Sequence, residues 1–419
     1  MTMRRATKIL VSTLFGAGAL VAGVRLSSAS TFSNSSNDDD ERHAGPDSAR
    51  VAMMLDAVGR ADPLVCELIA DQLGNFWYGH ERSGIGRLSD AKTSLDAAKD
   101  SIGGRVSEPR AIQRLTTELA NPNACVRRVA SKMLGHSAIT NERIGALLAD
   151  ASPVVREAAA LTAGVAERHE LTTALVNALG DRSPAVAAMS AWALGETEDR
   201  AAFSALVKSA RSGEIRSRAA AIWALGQLED DRAVPVVLPA LGDADAGIRA
   251  IAAEVLGKFE NAESVLPIER LLARDTDASV RVAAAEALGE LSAPTSAAAL
   301  GRALEDSDVR VRRSAASALA DLDDLHTAPP ELVKALSSPD KVLRRRAAHA
   351  LCEISDPATV QALIGLLDDP DAELRKNAIE SLGNIGNPAA VSGLSRALND
   401  KDPQVRKAAV EALGEMKKD

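Results

Sequence analysis

The chain has 419 residues, 46% of them hydrophobic and 26% charged, with a formal net charge of -9 and a mean hydropathy of -0.04. That balance excludes a multi-span membrane protein and a disordered chain, and three cysteines exclude a disulfide scaffold. Aromatic residues make up only 2% of the chain, so the core is built from Ala, Leu and Val, which suits closely spaced helices.

Residues 1–29 read as a secretory signal peptide: Arg4, Arg5 and Lys8, an apolar run from Ile9 to Val24, then Ser27-Ser28-Ala29 as a small-residue cleavage site. The run is shorter than the ~20 residues a membrane span needs. No span is expected once the segment is removed. Arg25, directly after the run, marks the alternative of an uncleaved anchor. Without Arg4, Arg5, Lys8 and Arg25 the net charge moves from -9 to -13. Such an acidic protein is a poor binder of nucleic acid, because phosphate backbones are held by positive charge. The expected location is the periplasm, the cell envelope or the medium. Residues 30–47 are rich in Ser, Asn and Asp, with the acidic run Asp38-Asp39-Asp40-Glu41, and read as a flexible linker. Residues 48–106 read as a degenerate repeat that caps the chain. Within them, Phe76-Trp77-Tyr78 and His80 form an aromatic loop, which either covers the first repeat or binds a ligand.

From 107 to 419 one unit recurs with a period of about 31 residues. A key position falls at Arg127, Arg156, Ala187, Arg218, Arg249, Arg281, Arg312, Arg344, Arg375 and Arg406. Counting from it, small or apolar residues stand at -1, +3, +4 and +7, as with Val280, Ala284, Ala285 and Leu288, which is helical spacing. Gly at +8 suits a helix C-terminus, and the Asp or Pro ahead of the Arg suits a helix start. A second helix fills the remainder, as over 230–241 and 357–367. Each unit is a helical hairpin that cannot bury its apolar face alone, so neighbours stack.

The motif Val-Arg-x-x-Ala-x-x-Ala-Leu-Gly, with an acid six residues before the Arg, resembles the short HEAT-like repeat of the phycobilisome-lyase type. The resemblance implies an all-α fold, an alpha-alpha superhelix of about 10 to 12 hairpins whose second helices line a concave face. It also implies a scaffold that binds a protein or peptide there without catalysis or cofactor. The alternative is a helical-repeat enzyme, either a bilin lyase or a metal oxygenase like deoxyhypusine hydroxylase. That hydroxylase family carries iron on His-Glu dipeptides at +1 and +2. Here those positions hold Glu157-Ala158, Val282-Ala283, Arg313-Ser314, Arg345-Arg346 and Lys376-Asn377, so no metal site is expected. His80-Glu81 and His169-Glu170 lie out of register, and no Gly-x-Ser-x-Gly nucleophile pattern occurs.

The recurring acid and base form pairs six residues apart: Asp150 and Arg156, Asp243 and Arg249, Asp275 and Arg281, Asp306 and Arg312, Asp369 and Arg375, Asp400 and Arg406. The guanidinium fork donates to a carboxylate bidentately, so these residues read as a structural ladder within or between units. Cys66 and Cys125 stand about two units apart. At ~10 Å per stacked hairpin this exceeds disulfide reach, and free buried thiols are expected, Cys352 included.

The helical wheel points +1 and +5 away from the core positions. Position +5 is polar at Glu254, Glu286, Ser317, His349, Glu380 and Glu411, but Trp192 and Trp223 occupy it in adjacent units. Met189, Ala188 and Ala219 stand beside them, and the same units lose Arg at Ala187 and Asp at Ser212. This apolar row is expected to be exposed and to dock the partner. The alternative is that both indoles lie flat over the helix seam. A basic stretch at Arg313, Arg345, Arg346 and His349 extends the expected binding face.

Overall fold

The computed structural model describes residues 46–60 and 105–416. The expected signal peptide and the aromatic loop at 76–78 lie outside the described residues. Among the described residues all regular structure is helical. The chain divides into two compact units, 1–144 and 145–419.

In the first unit Ser48–Gly59 packs against both Pro109–Glu118 and Ala124–Gly135, burying Val51, Leu55, Leu115 and Val126. Asp47 caps the first helix by accepting a hydrogen bond from the Arg50 amide. Asn123 Nδ2 donates to the Gly59 carbonyl at 3.2 Å, so the chain at residue 59 lies directly beside the start of Ala124–Gly135. Cys125, in that helix, is disulfide-bonded. The expected free thiol is corrected here: the distance argument assumed a regular stack of whole hairpins, and the bond shows that this assumption does not hold at Cys125. Cys66 lies outside the described residues.

In the second unit the helices that carry the key position pack on one another in chain order: Pro153–Val165, Pro184–Glu196, Ile215–Gln227, Ala246–Gly257, Ala278–Glu290, Val309–Ala320, Lys341–Ile354, Ala372–Ile385 and Pro403–Glu415. Their starts follow local chemistry. Asp245, Asp277, Asp308, Asp340, Asp371 and Asp402 cap them by accepting an orphan backbone N–H, and Pro153, Pro184 and Pro403 open helices whose first N–H has no partner to lose. Each of the first eight is followed by a shorter helical segment, in most hairpins entered through a 3-10 turn. The connection between Val309–Ala320 and Pro330–Ala335 has no such turn.

The +8 glycines stand at the C-terminal ends of their helices, as the spacing suggests, but not in the left-handed conformation. A left-handed residue follows them instead, at Glu167, Glu198, Glu229 and Ser292, and Gly386 is the only glycine among the described residues with positive φ. The +8 glycines serve close approach. A Cβ added to Gly164, Gly257, Gly289 or Gly383 would lie 2.9–3.0 Å from the Cα of Ala193, Ala287, Ala318 or Ala412 in the next hairpin. At these four positions successive helices therefore cross with backbone against backbone, and a side chain there would hold them apart.

The arginine ladder and the indole row as the candidate interaction site

Each complete rung of the ladder joins two hairpins through one arginine. Arg156 Nη1 donates to the Asp150 carbonyl at 2.8 Å, within its own unit. Its Nε and Nη2 donate to the Asp181 carboxylate of the next hairpin at 2.7 and 2.9 Å. Arg249 grips Asp275 at 2.6 and 2.9 Å, Arg281 grips Asp306 at 2.7 and 2.8 Å, Arg375 grips Asp400 at 2.8 and 2.7 Å, and Arg218 pairs with Asp243. The six-residue spacing thus places the arginine on its acid's carbonyl, while the carboxylate bond spans 25 or 26 residues. The same carboxylate accepts the amide two residues on, as Asp275 does from Asp277. Burial alone would raise the pKa of Asp275 and Asp306, yet the Arg249 and Arg281 guanidiniums and these amides hold both below the usual carboxylate range. The arginine bonds hold Asp181 and Asp400 low in the same way.

Asp181 and Arg218 are rungs that the six-residue pairing misses, although the 25-residue spacing would have found them. The missing charges at Ala187 and Ser212 are also one event. Position 212 stands 25 residues after 187, so the two halves of a single rung are absent together and neither leaves an unpaired charge.

In the hairpins from 309 to 371 the ladder moves along by one residue. Arg313 and Arg345, at +1, grip the capping acids Asp340 and Asp371 at 2.6–2.7 Å. Their reading as a free basic face is therefore corrected: both are structural. Arg346 donates to the Arg313 carbonyl at 3.0 Å, while His349 is exposed. Arg312 keeps only its carbonyl bonds, to Asp306 and Ser307, and Arg406 likewise bonds the Asp400 and Lys401 carbonyls. Asp369 keeps the six-residue half of the ladder, its carbonyl accepting from Arg375 Nη1 at 2.7 Å, while its carboxylate accepts the Asp371 amide and forms no ion pair with an arginine among the described residues.

The indole row is corrected as well. Trp192 is only 3% exposed and Met189 8%, Ala219 is buried, and Ala188 and Trp223 are half-buried. The Trp192 ring edge lies over Gly164 and the Trp223 ring edge over Gly195, each indole filling the space that a glycine of the preceding hairpin leaves open. The wheel placed +5 away from the core of its own hairpin, but in a stack that direction faces the neighbouring hairpin. The row is packing, not a docking surface.

Two titrating groups stand apart from the ladder. Burial, with the nearby Glu167 and Glu198 carboxylates, pushes Glu196 at the end of Pro184–Glu196 up to about 7. Burial also raises the Cys352 thiol to about 11, so it stays protonated and unreactive at neutral pH. Cys352 takes the +8 place of glycine in its hairpin, where Asn384 Nδ2 donates to its Sγ at 3.3 Å.

The model for HEAT repeats matches residues 140–217, 210–279, 265–334 and 329–414, about two thirds of the sequence. The chain belongs to the HEAT-repeat family. HEAT solenoids are a general class of protein-interaction scaffold. Importin beta is 16% identical over 91% of this chain and 60% of its own, with a TM-score of 0.52. Yeast importin-beta (Kap95p) is 14% identical over 87% and 57%, with a TM-score of 0.51. The chain spans less than two thirds of either importin, and at these identities the likeness is one of HEAT fold alone. The CpcE and CpcF complex of phycocyanin lyase from Nostoc sp. PCC7120 is 23% identical over 59% of this chain and 94% of that one, with a TM-score of 0.35. No curated protein sequence matches the chain.

Proposed function

We infer that this HEAT-repeat protein is an exported, non-catalytic scaffold that binds a protein or peptide partner. The observation that carries the reading is how the recurring polar residues are used. The arginines of the complete rungs and most of the +8 glycines act in stacking one hairpin on the next, and the capping acids start the helices, which builds an extended regular surface and no recurring catalytic group. Export is supported by the order of charged, apolar and small residues over 1–29 and by the disulfide at Cys125, a bond that persists in oxidising compartments.

The test has two parts. N-terminal sequencing of the processed protein is expected to begin at Ser30, and a full-length membrane-retained species would establish the anchor instead. Cross-linking in the intact envelope, followed by mass spectrometry and reconstitution with the purified candidate, is expected to give one saturable partner. A tetrapyrrole or stoichiometric iron bound to the purified protein would overturn the non-catalytic reading.

A further inference from the structure

We propose that the guanidinium forks of Arg312 and Arg344, in two successive hairpins, form a binding site for the carboxylate side chains of an acidic peptide. The proposal rests on the scaffold reading above and gives it a site and a partner chemistry.

A complete rung has three parts: Nη1 on the carbonyl six residues back, Nε and Nη2 on the next hairpin's carboxylate, and that carboxylate on the amide two residues on. At Arg312 the first part is intact, with Nη1 donating to the Asp306 carbonyl at 2.6 Å and the Ser307 carbonyl at 3.0 Å. The fork is thereby held in its rung orientation. The acid's place 26 residues on is taken by Ser338, whose Oγ accepts the Asp340 amide at 3.2 Å. Ser338 thus keeps the turn-forming part of the aspartate's role and lacks only the carboxylate that would fill the fork.

Arg344 keeps the same carbonyl bonds, but its place 25 residues on holds an acid, Asp369. Its Nη1 donates to the Ser338 carbonyl at 2.8 Å and the Pro339 carbonyl at 3.4 Å, while its Nε is buried with no hydrogen-bond partner. A buried charged donor left without an acceptor is costly, so an acceptor that reaches it is favoured. The nearby acids do not serve. Asp340 and Asp371 are held bidentately by Arg313 and Arg345, and Asp369, which accepts the Asp371 amide as a rung acid does, forms no ion pair with Arg344.

The chain itself supplies the comparison. Where a rung is given up for packing, at Ala187 and Ser212, both halves are gone. At Ser338 the acid alone is gone and the arginine stays, aligned and unfilled. The vacant place is that of an Asp side chain, and the fork presents the two parallel donors that matched a carboxylate in the complete rungs. A peptide with acidic residues supplies such groups to both hairpins.

The experiment uses the full chain and the probe acetyl-Asp-Asp-Asp-Glu-amide, with acetyl-Asn-Asn-Asn-Gln-amide as the neutral control, titrated calorimetrically at low salt. The acidic peptide is expected to bind and the neutral one not. Ser338→Asp supplies the missing carboxylate from within, so it is expected to raise the melting temperature and weaken the acidic peptide at least tenfold. Arg344→Gln is expected to weaken it similarly with helicity retained. Unchanged peptide affinity in folded Ser338→Asp overturns the proposal, as does equal binding of the neutral peptide. Inorganic phosphate binding more tightly than the peptide also overturns it. Asp369→Asn is expected to leave the melting temperature unchanged, and a loss as large as that of Asp400→Asn would show that Arg344 is filled from within and sink the site. If the acidic peptide fails to bind while the reconstituted envelope partner still does, the scaffold reading stands and only this site falls.

Discussion

Gly289 and Gly414 occupy the same place in the repeat, eight residues after Arg281 and Arg406, and differ in what lies opposite. A Cβ on Gly289 would sit 2.9 Å from the Ala318 Cα and 3.0 Å from its Cβ, whereas nothing stands within 4 Å of one on Gly414. Both are helical with negative φ, so alanine gains about 1 kcal/mol of helix propensity at either site. At Gly289 that gain meets an overpacking cost of about 1–3 kcal/mol, toward the upper end because the opposing atom is backbone and cannot rotate away. Gly289→Ala is therefore expected to destabilise by about 1–2 kcal/mol, and Gly414→Ala to stabilise by about 0.5–1 kcal/mol. Urea denaturation of the full chain, followed by far-ultraviolet circular dichroism, measures both as shifts in midpoint at constant slope. If Gly289→Ala stabilises as much as Gly414→Ala, the close-approach account is wrong. If both destabilise equally, the repeat needs glycine for its helix end and not for spacing.

Three further outcomes follow from the same geometry. Arg249→Gln and Asp275→Asn are each expected to cost about 2 kcal/mol, because each leaves a partly buried charged group short of its bidentate partner, with a positive coupling in the double-mutant cycle. Additive costs would show that the rung does not join the hairpins. Trp192→Ala is expected to lose about 3–5 kcal/mol by opening a cavity over Gly164, with a smaller loss for half-buried Trp223→Ala. An unchanged melting temperature for Trp192→Ala would restore the exposed docking surface. Glu196 is raised from 4.5 to about 7, so the folded protein favours its protonated form: the stabilisation is fully present below pH 4.5 and is lost as pH rises through 7. The stability difference between wild type and Glu196→Gln should fall across that window, and a flat difference between pH 5 and 8 would refute the assignment.

The 31-residue period, the helical spacing of Val280, Ala284, Ala285 and Leu288, and the acid-base pairs were enough to determine a stack of helical hairpins. These are local properties, repeated until chance is excluded, and they needed no knowledge of which hairpin faced which. The tertiary structure decided everything that depends on the neighbour. Position +5 points away from the core of one hairpin and into the next, which is why Trp192 looked exposed on a wheel and is buried in the stack. The carboxylate that an arginine grips is 25 or 26 residues away, so Asp181 and Arg218 were hidden by a six-residue pairing, and Arg313 and Arg345 passed for free charges. Glycine at +8 was legible as a helix end, where it stands, but a sequence window cannot show the Ala Cα that approaches it from another unit. Cys125 escaped too, since counting hairpins along the sequence predicted a free thiol where the structure has a disulfide. Periodicity encodes the repeated unit, and only packing between units assigns each surface to core or solvent.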